Sequence, residues 1–456
     1  MGYKMKLSKV ELTNYRGFKK LKLNLHPKLT VIVGINGCGK TTIVASIKIL
    51  LWSYIRHFKK DLRRGSVPSI KPDDVYYNYS PDKQFESQYP CSVKGQLDFS
   101  EGDDFDFDPS DFDIDEEFEF DFVGCKIEKE GSRAKWLEGS VADIDAASKR
   151  MDIAFEDLDK LSQTSYEFVS LPLVASYGTN RLWRRSAGLR NVHRTTSRFV
   201  GYDGAISDTS NFLKFEWFIF YILAHVKKDK AAHLLISVLD AIKSVSGWRM
   251  QIPMPGEKDF WFERNGEKMK VSQLGDGVRC MVGLVGDLAC RCAMLNISMG
   301  RDAVKSARGV VLIDEIDLHL HPAWQQTIIS DFQKAFPKLQ LIVTTHSPQV
   351  LSTVHGENIR ILDRDRNGAV FAGKPIGQSY GEPSGDVLHS IMMVDPQPPI
   401  QERSELQRLT ELVDGGRFDE PRTVELMEKL NLALGENHPQ LLKLRRSISR
   451  QRMLSK

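Results

Sequence analysis

The sequence predicts an α/β fold with a mixed sheet, and three observations predict it. A short, wholly apolar strand runs into a glycine-rich loop and then a helix; a second apolar strand ends in two acids; a third ends in a lone histidine. Leu29–Val33 is the first, lacking alternation as a strand buried on both faces should, and it leads into Gly34-Ile35-Asn36-Gly37-Cys38-Gly39-Lys40-Thr41. Gly309–Ile313 followed by Asp314-Glu315 is the second, and Gln340–Thr344 followed by Thr345-His346 the third.

The other elements follow in chain order. From Lys6 to Leu25 two alternating blocks, Leu7-Val10-Leu12 and Leu21-Leu23-Leu25, flank Asn14-Tyr15-Arg16-Gly17-Phe18 and predict an antiparallel N-terminal β-lobe. Helical spacing runs from Thr41 to His57. Residues 61–145 are turn-rich and acidic, with strand-like pieces such as Ser92–Leu97 and an acidic β-region over about 85–125. Apolar residues at helical spacing over 206–246 (Phe212, Phe215, Phe218, Ile219, Ile222, Leu223) predict two inserted helices. Leu274–Ile297 reads as a loop opening an apolar helix, and Ile359–Val370 as a hairpin with an Asn-Gly turn. Asp395-Pro396-Gln397-Pro398-Pro399 breaks the chain. The expected organisation is therefore a 1–394 head and a 395–456 helical tail for partner docking or oligomerisation.

Composition excludes several classes. With 41% apolar and 27% charged residues, and 63 Lys+Arg against 60 Asp+Glu, bulk charge selects no polyanionic partner. The longest largely apolar run, Trp217–Val226, is half of the ~20 residues a membrane span needs. Met1–Val10 alternates lysine with apolar residues and lacks an export core, so the expected location is cytoplasmic, with no membrane contact. The six cysteines have no paired metal spacing and read as buried thiols.

The octapeptide from Gly34 to Thr41 fits G-x-x-x-x-G-K-[ST] in the strand–loop–helix context that this phosphate-binding motif demands. Backbone N–H groups from Asn36, Gly37, Cys38, Gly39, Lys40, Thr41 and Thr42 would cradle phosphates at a helix N-terminus. Lys40 would reach the β/γ-phosphates, and the Thr41 hydroxyl would ligate Mg²⁺. Asp314 would hold the Mg²⁺ through water, with Glu315 as general base on the attacking water. His319 and His321 lie two apart, but no carboxylate or cysteine completes a zinc spacing, and Asp317–Pro322 reads as a loop at the nucleotide interface. His346 is placed to sense a γ-phosphate.

Together these residues resemble the ABC-type ATPase heads of the SMC, RecF and OLD group. Asn14–Phe18 resembles the group's opening segment, Asn36–Thr42 its P-loop, Asp314–Pro322 its Walker B and D-loop, and Thr345–Pro348 its H-loop. The resemblance implies ATP and Mg²⁺ as cofactors, ATP hydrolysis, and a homo-oligomer in which a signature loop of one subunit closes head-to-tail over the ATP of another. That loop aligns on Leu274–Val278, where Gly275 and Asp276 replace the usual Ser and first Gly. Gly275 and Gly277 can still offer N–H groups beside Asp276, but an acid facing ATP should weaken the clasp, so slow or regulated turnover is expected. The Q-loop glutamine is open among Gln84, Gln88 and Gln96, and Arg16 is either a nucleotide contact or an exposed hairpin arginine.

About 230 residues separate Lys40 from the signature, with helical stretches of only ~20 residues, so no long SMC-type arm fits. Asp363-Arg364-Asp365 is similar to the D-x-D of OLD nucleases but sits in the predicted hairpin, so the chain is not itself expected to be a nuclease. Leu171–Trp183 and the passage from Tyr380 to Leu388 resemble the PtuA ATPases of bacterial Septu antiphage systems and the ATPases paired with retrons. That resemblance implies a partner HNH nuclease of the PtuB type, controlled by the nucleotide state of this chain. The alternative is a RecF-like DNA-binding ATPase of repair or replication without a nuclease partner. Acids alternating with phenylalanine between Glu101 and Phe122 read as half-buried edge strands or as a docking face. Arg181, Arg184, Arg185, Arg190, His193, Arg194 and Arg198, with Lys443–Arg452, read as solvated cations or as DNA contacts.

Overall fold

The computed structural model describes residues 3–56, 67–80, 83–101, 121–137, 170–179, 198–207, 212–226, 228–252, 260–366, 368–395 and 398–454. The Asp/Phe alternation over 102–120 and six members of the basic cluster, Arg181 to Arg194, lie outside them.

Chain contacts divide the molecule into residues 1–392 and 393–456. In the first unit, strands β1 (Tyr3–Tyr15) and β2 (Phe18–Asn24) form the expected hairpin. They belong to a wider sheet than the sequence suggests. β6 (Cys91–Glu101) pairs antiparallel with β1 along nearly its whole length, and β7 (Asp121–Ile127) and β8 (Lys135–Leu137) extend the order β2-β1-β6-β7-β8. The strands β4 (Tyr77–Ser80) and β5 (Lys83–Ser87) form a separate hairpin.

The second sheet carries the site. Its order is β16-β15-β3-β14-β13-β9, from β3 (Leu29–Gly34), β9 (Leu173–Tyr177), β13 (Gly309–Ile313), β14 (Leu339–Thr344), β15 (Ile359–Arg364) and β16 (Val370–Gly373). The five strands from β15 to β9 are parallel, and β16 closes one edge antiparallel as the expected hairpin partner of β15. β9, β13 and β14 are buried at every position, which explains their unalternating apolar sequences. Sequence patterning did not anticipate β9 as a strand of this sheet.

Helix α1 (Lys40–Ile55) packs against both sheets and is buried around most of its circumference, including Ile43, Ile47, Leu50 and Tyr54. Gln340 ties the sheets together, because its side-chain amide donates to Leu7 O (2.8 Å) and its Oε1 accepts from Leu7 N–H (2.8 Å). The inserted helices are α2 (Phe212–His225) and α3 (Lys228–Ser246). A small antiparallel sheet, β10 (Arg249–Gln251), β11 (Trp261–Arg264) and β12 (Glu267–Lys270), precedes α4 (Asp276–Leu295), which is buried from Cys280 to Leu295. The helices α5 (Ile328–Ala335) and α6 (Ser384–Ser390) complete this unit. All six cysteines are free and buried.

In the second unit α7 (Arg403–Asp414), α8 (Pro421–Leu434) and α9 (Pro439–Leu454) bury Leu406, Leu409, Val413, Leu430, Leu441 and Leu444 together. No helix among the described residues is long and apolar enough to cross a membrane.

Candidate functional site

Three adjacent parallel strands end level with one another: β3 pairs with β14 (Val31↔Val343), and β14 with β13 (Val343↔Ile313). Their carboxyl ends deliver the glycine-rich loop, Asp314-Glu315 and Thr345-His346 to one edge of the sheet, where open parallel sheets bind ligands. Residues 273 apart in sequence meet there, with Thr41 Oγ1 3.4 Å from Asp314 Oδ2.

The loop is shaped by glycines at positive φ, Gly37 (+82°) and Gly39 (+95°), the latter capping α1. A side chain at Gly39 would also strike Phe18, whose ring lies 2.5 Å from where a Cβ would stand. Phe18 of the Asn14–Phe18 segment is thus the floor beneath the loop. Ile35, Asn36, Gly37 and Thr41 are exposed, Thr42 is half-buried, and Cys38 is buried. The Cys38 thiol donates to Ile35 O (2.7 Å), bracing the loop from within; burial pushes this thiol's pKa up, against the pull of Lys40. Lys40 Nζ donates to Gly34 O (2.6 Å) and Ile35 O (3.1 Å). Burial pushes its pKa down, opposed by Cys38 and then by the carboxylates of Glu315, Asp314 and Asp317.

Thr344 organises the acids. Its hydroxyl donates to Asp314 Oδ1 (2.5 Å) and accepts from Glu315 N–H (2.7 Å). Glu315 sits at φ +50°, a conformation that side chains other than glycine adopt at a cost, and this bond helps hold it there. Asp314 N–H donates to Tyr177 O (2.8 Å), so β9 also fixes the strand end. Beyond the acids, Thr345 donates to Asp317 Oδ1 (2.6 Å) and Ser347 to Gln325 Oε1 (2.7 Å). These bonds lock the 315–325 segment to the one bearing the half-buried His346. His321 caps the turn Pro322–Gln325 through Nδ1, a structural use for one histidine of the pair. The donor set beside the loop, a threonine hydroxyl and a carboxylate, is the hard-oxygen type that magnesium takes.

Gly275, Asp276 and Gly277 open α4. Gly277 lies against the backbone of His319, whose carbonyl oxygen is 2.4 Å from where a Cβ would stand, so only glycine fits. Asp276 is paired with Arg279 one turn on, and its side chain stays largely exposed at the helix start. Among the described residues no hydrogen bond or ion pair ties these three to the loop at Gly34–Thr41. Arg16 is bound to Asp74 through Nε (2.8 Å). Gln88 donates to Glu86 O, and Gln96 lies on β6 opposite Lys9. Sequence reasoning missed Thr344, Tyr177 and the role of Phe18; a threonine closing a buried strand just before the histidine was the available signal for the first.

A phosphate loop, a strand-end acid pair and a signature-type helix are the parts of an ATP-hydrolysing head, and the chain is an ATPase similar to the ABC-type ATPases of the SMC/RecF group. Residues 5–177 match the AAA ATPase domain family, and residues 169–352 the family described as "AAA domain, putative AbiEii toxin, Type IV TA system". The chain is 27% identical to the retron Vc95 probable ATPase of Vibrio cholerae over 93% of this chain and 86% of that protein. It is 35% identical to the retron Ec83 probable ATPase of Escherichia coli over 42% of this chain and 34% of that one. Septu protein PtuA of Bacillus mycoides is 37% identical over 53% of this chain and 33% of its own length. The chain thus spans most of the first relative and about a third of the other two.

Proposed function

We propose that this ATPase is the regulatory subunit of a bacterial antiphage defence complex, in which nucleotide-dependent association of heads controls a partner HNH nuclease. The observation that carries the ATP chemistry is the approach of Thr41 to Asp314, with Lys40 close enough to feel the charges of Asp314 and Glu315. Its similarity to retron and Septu ATPases supports the defence setting.

Lys40 releases the two loop carbonyls and takes the β/γ-phosphates, while the N–H groups of residues 36–42 receive the remaining phosphate oxygens. Thr41 and Asp314 would hold Mg²⁺, which supplies neutralisation of phosphate charge when bound. Glu315 accepts a proton from the attacking water, and His346 contacts the γ-phosphate from the neighbouring strand end. The signature loop Gly275–Gly277 closes over the nucleotide of a second copy, head to tail. The 393–456 unit is the docking or oligomerisation element, and the protein works in the cytoplasm.

Purified full-length chain tests this. Lys40→Ala should abolish ATP binding, whereas Glu315→Gln should retain ATP and double in mass with it; wild-type nucleotide affinity in Lys40→Ala would refute the site. Co-purification of an HNH protein with the tagged chain supports the nuclease partner. The second reading, a RecF-like DNA-binding ATPase, draws on 46% identity to RecF of Lactococcus lactis over 69 residues, 15% of this chain. Tight, salt-dependent DNA binding by the chain alone, with no nuclease retained, would favour it.

A further inference from the structure

We propose that the buried cluster Tyr177–Asp287–Arg291 couples the signature loop of a head to the catalytic acids of the same head, so that two nucleotide sites in an associated pair act cooperatively. This inference rests on the head-to-tail association proposed above.

Asp287 and Arg291 stand one turn apart in α4, 1% and 3% exposed, inside a stretch whose other residues from 280 to 295 are buried too. Burying two charges is strongly unfavourable until they are paired, and an apolar helix would pack here without them. Their partners show what they join. Asp287 Oδ2 accepts from Arg291 Nε (2.7 Å) and from the Tyr177 hydroxyl (2.7 Å). Arg291 Nη1 donates to Gly201 O (2.6 Å) and Asp203 O (3.0 Å). Tyr177 is the last residue of β9, and its own carbonyl accepts from Asp314 N–H (2.8 Å). One residue therefore grips α4 with its side chain and the acid strand with its backbone.

A second contact works in the same direction, with Gly277 against the His319 carbonyl four residues beyond Glu315. A shift of α4 along its axis must either carry Tyr177 and the 314–319 segment with it or break a buried charge-assisted hydrogen bond. When a phosphate of the partner's ATP binds at Gly275–Gly277, the change at the helix start reaches this head's own Asp314 and Glu315. Linkage makes the effect reciprocal between the two sites.

The test compares full-length Glu315→Gln with Glu315→Gln/Tyr177→Phe, reading mass and ATP isotherms. The single variant should double in mass with a Hill coefficient above 1. Adding Tyr177→Phe should leave the doubling in place and lower the coefficient towards the value that association alone produces. A coefficient left unchanged by the loss of the hydroxyl overturns the coupling alone. A single variant that binds ATP without doubling overturns the head-to-tail association and the coupling with it. Should the phenylalanine variant fail to fold, amide exchange in Glu315→Gln decides: ATP-dependent slowing at residues 198–207, held by Arg291, supports the coupling, and unchanged exchange there overturns it.

Discussion

Replacing Thr344 by valine keeps the shape of a fully buried side chain and deletes only the hydroxyl that serves both acids. Two losses follow. The bond to the Asp314 carboxylate is charge-assisted and contributes ~1.5–3 kcal/mol, and the Glu315 N–H, left without its acceptor, costs a further ~1–3 kcal/mol. At the low end of each range the total is about 2.5 kcal/mol. Glu315 then keeps its φ of +50° without one of the bonds that hold it. If about 2 kcal/mol of this total falls on placement of the acids in the transition state, kcat drops roughly 30-fold. Thr344→Ser retains the hydroxyl and should stay within about threefold of wild type. Steady-state phosphate release and urea titration of all three proteins give the comparison. A valine variant with wild-type kcat and an unmoved urea midpoint would refute the assignment of Thr344 as organiser of the acids.

Gly39→Ala meets two obstacles, left-handed backbone costing ~1–2 kcal/mol and a collision with Phe18 costing ~1–3 kcal/mol, so ATP affinity and urea midpoint should both fall. Adding Phe18→Leu should recover the collision part only, and a double-mutant cycle with no coupling would contradict the packing. Gly277→Ala would press against the His319 carbonyl, so ATP-driven doubling of mass should weaken while binding to the single head persists; light scattering with nucleotide reads this. His26 Nδ1 accepts from Lys28 N–H (3.2 Å) and Leu29 N–H (3.3 Å), and burial pushes its pKa below the ordinary 6.5. The unfolded chain therefore binds a proton that the folded chain refuses. Stability should be complete above pH 6.5 and decline as pH falls through the lower folded value, and His26→Asn should flatten that slope in pH-dependent urea melts.

Local chemistry made the core of the site legible. A fully buried strand has no alternation to disguise it, and a phosphate loop needs glycine and lysine at fixed places, so β3, β13, β14 and residues 34–41 could be placed from sequence. The hairpin at 359–370 was readable for the same reason, its turn residues being set by backbone geometry. Long-range pairing was not readable. β6 joins β1 across some eighty residues that carry β2, β3 and α1 between them, and β9 joins β13 from 130 residues upstream; nothing in either segment names its neighbour. Thr344 and Tyr177 were visible as residues but not as partners, because each acquires its role only when strands distant in sequence end at one level. The pairing of Asp276 with Arg279 was likewise not readable, because an i,i+3 partner matters only once the helix start is fixed.

The position of β3 bears on how a ribosome-bound chain reaches this structure. Its two flanking strands, β14 and β15, are synthesised some three hundred residues after it, and Gln340 must arrive before Leu7 finds its side-chain partners. Throughout most of translation the hydrophobic ribbon at 29–33 has both hydrogen-bonding edges open, an invitation to mispairing that slow, non-local topologies share. Chaperone capture during synthesis, and aggregation of fragments cut short before residue 339, are the natural outcome of placing the phosphate loop on a strand whose neighbours come last.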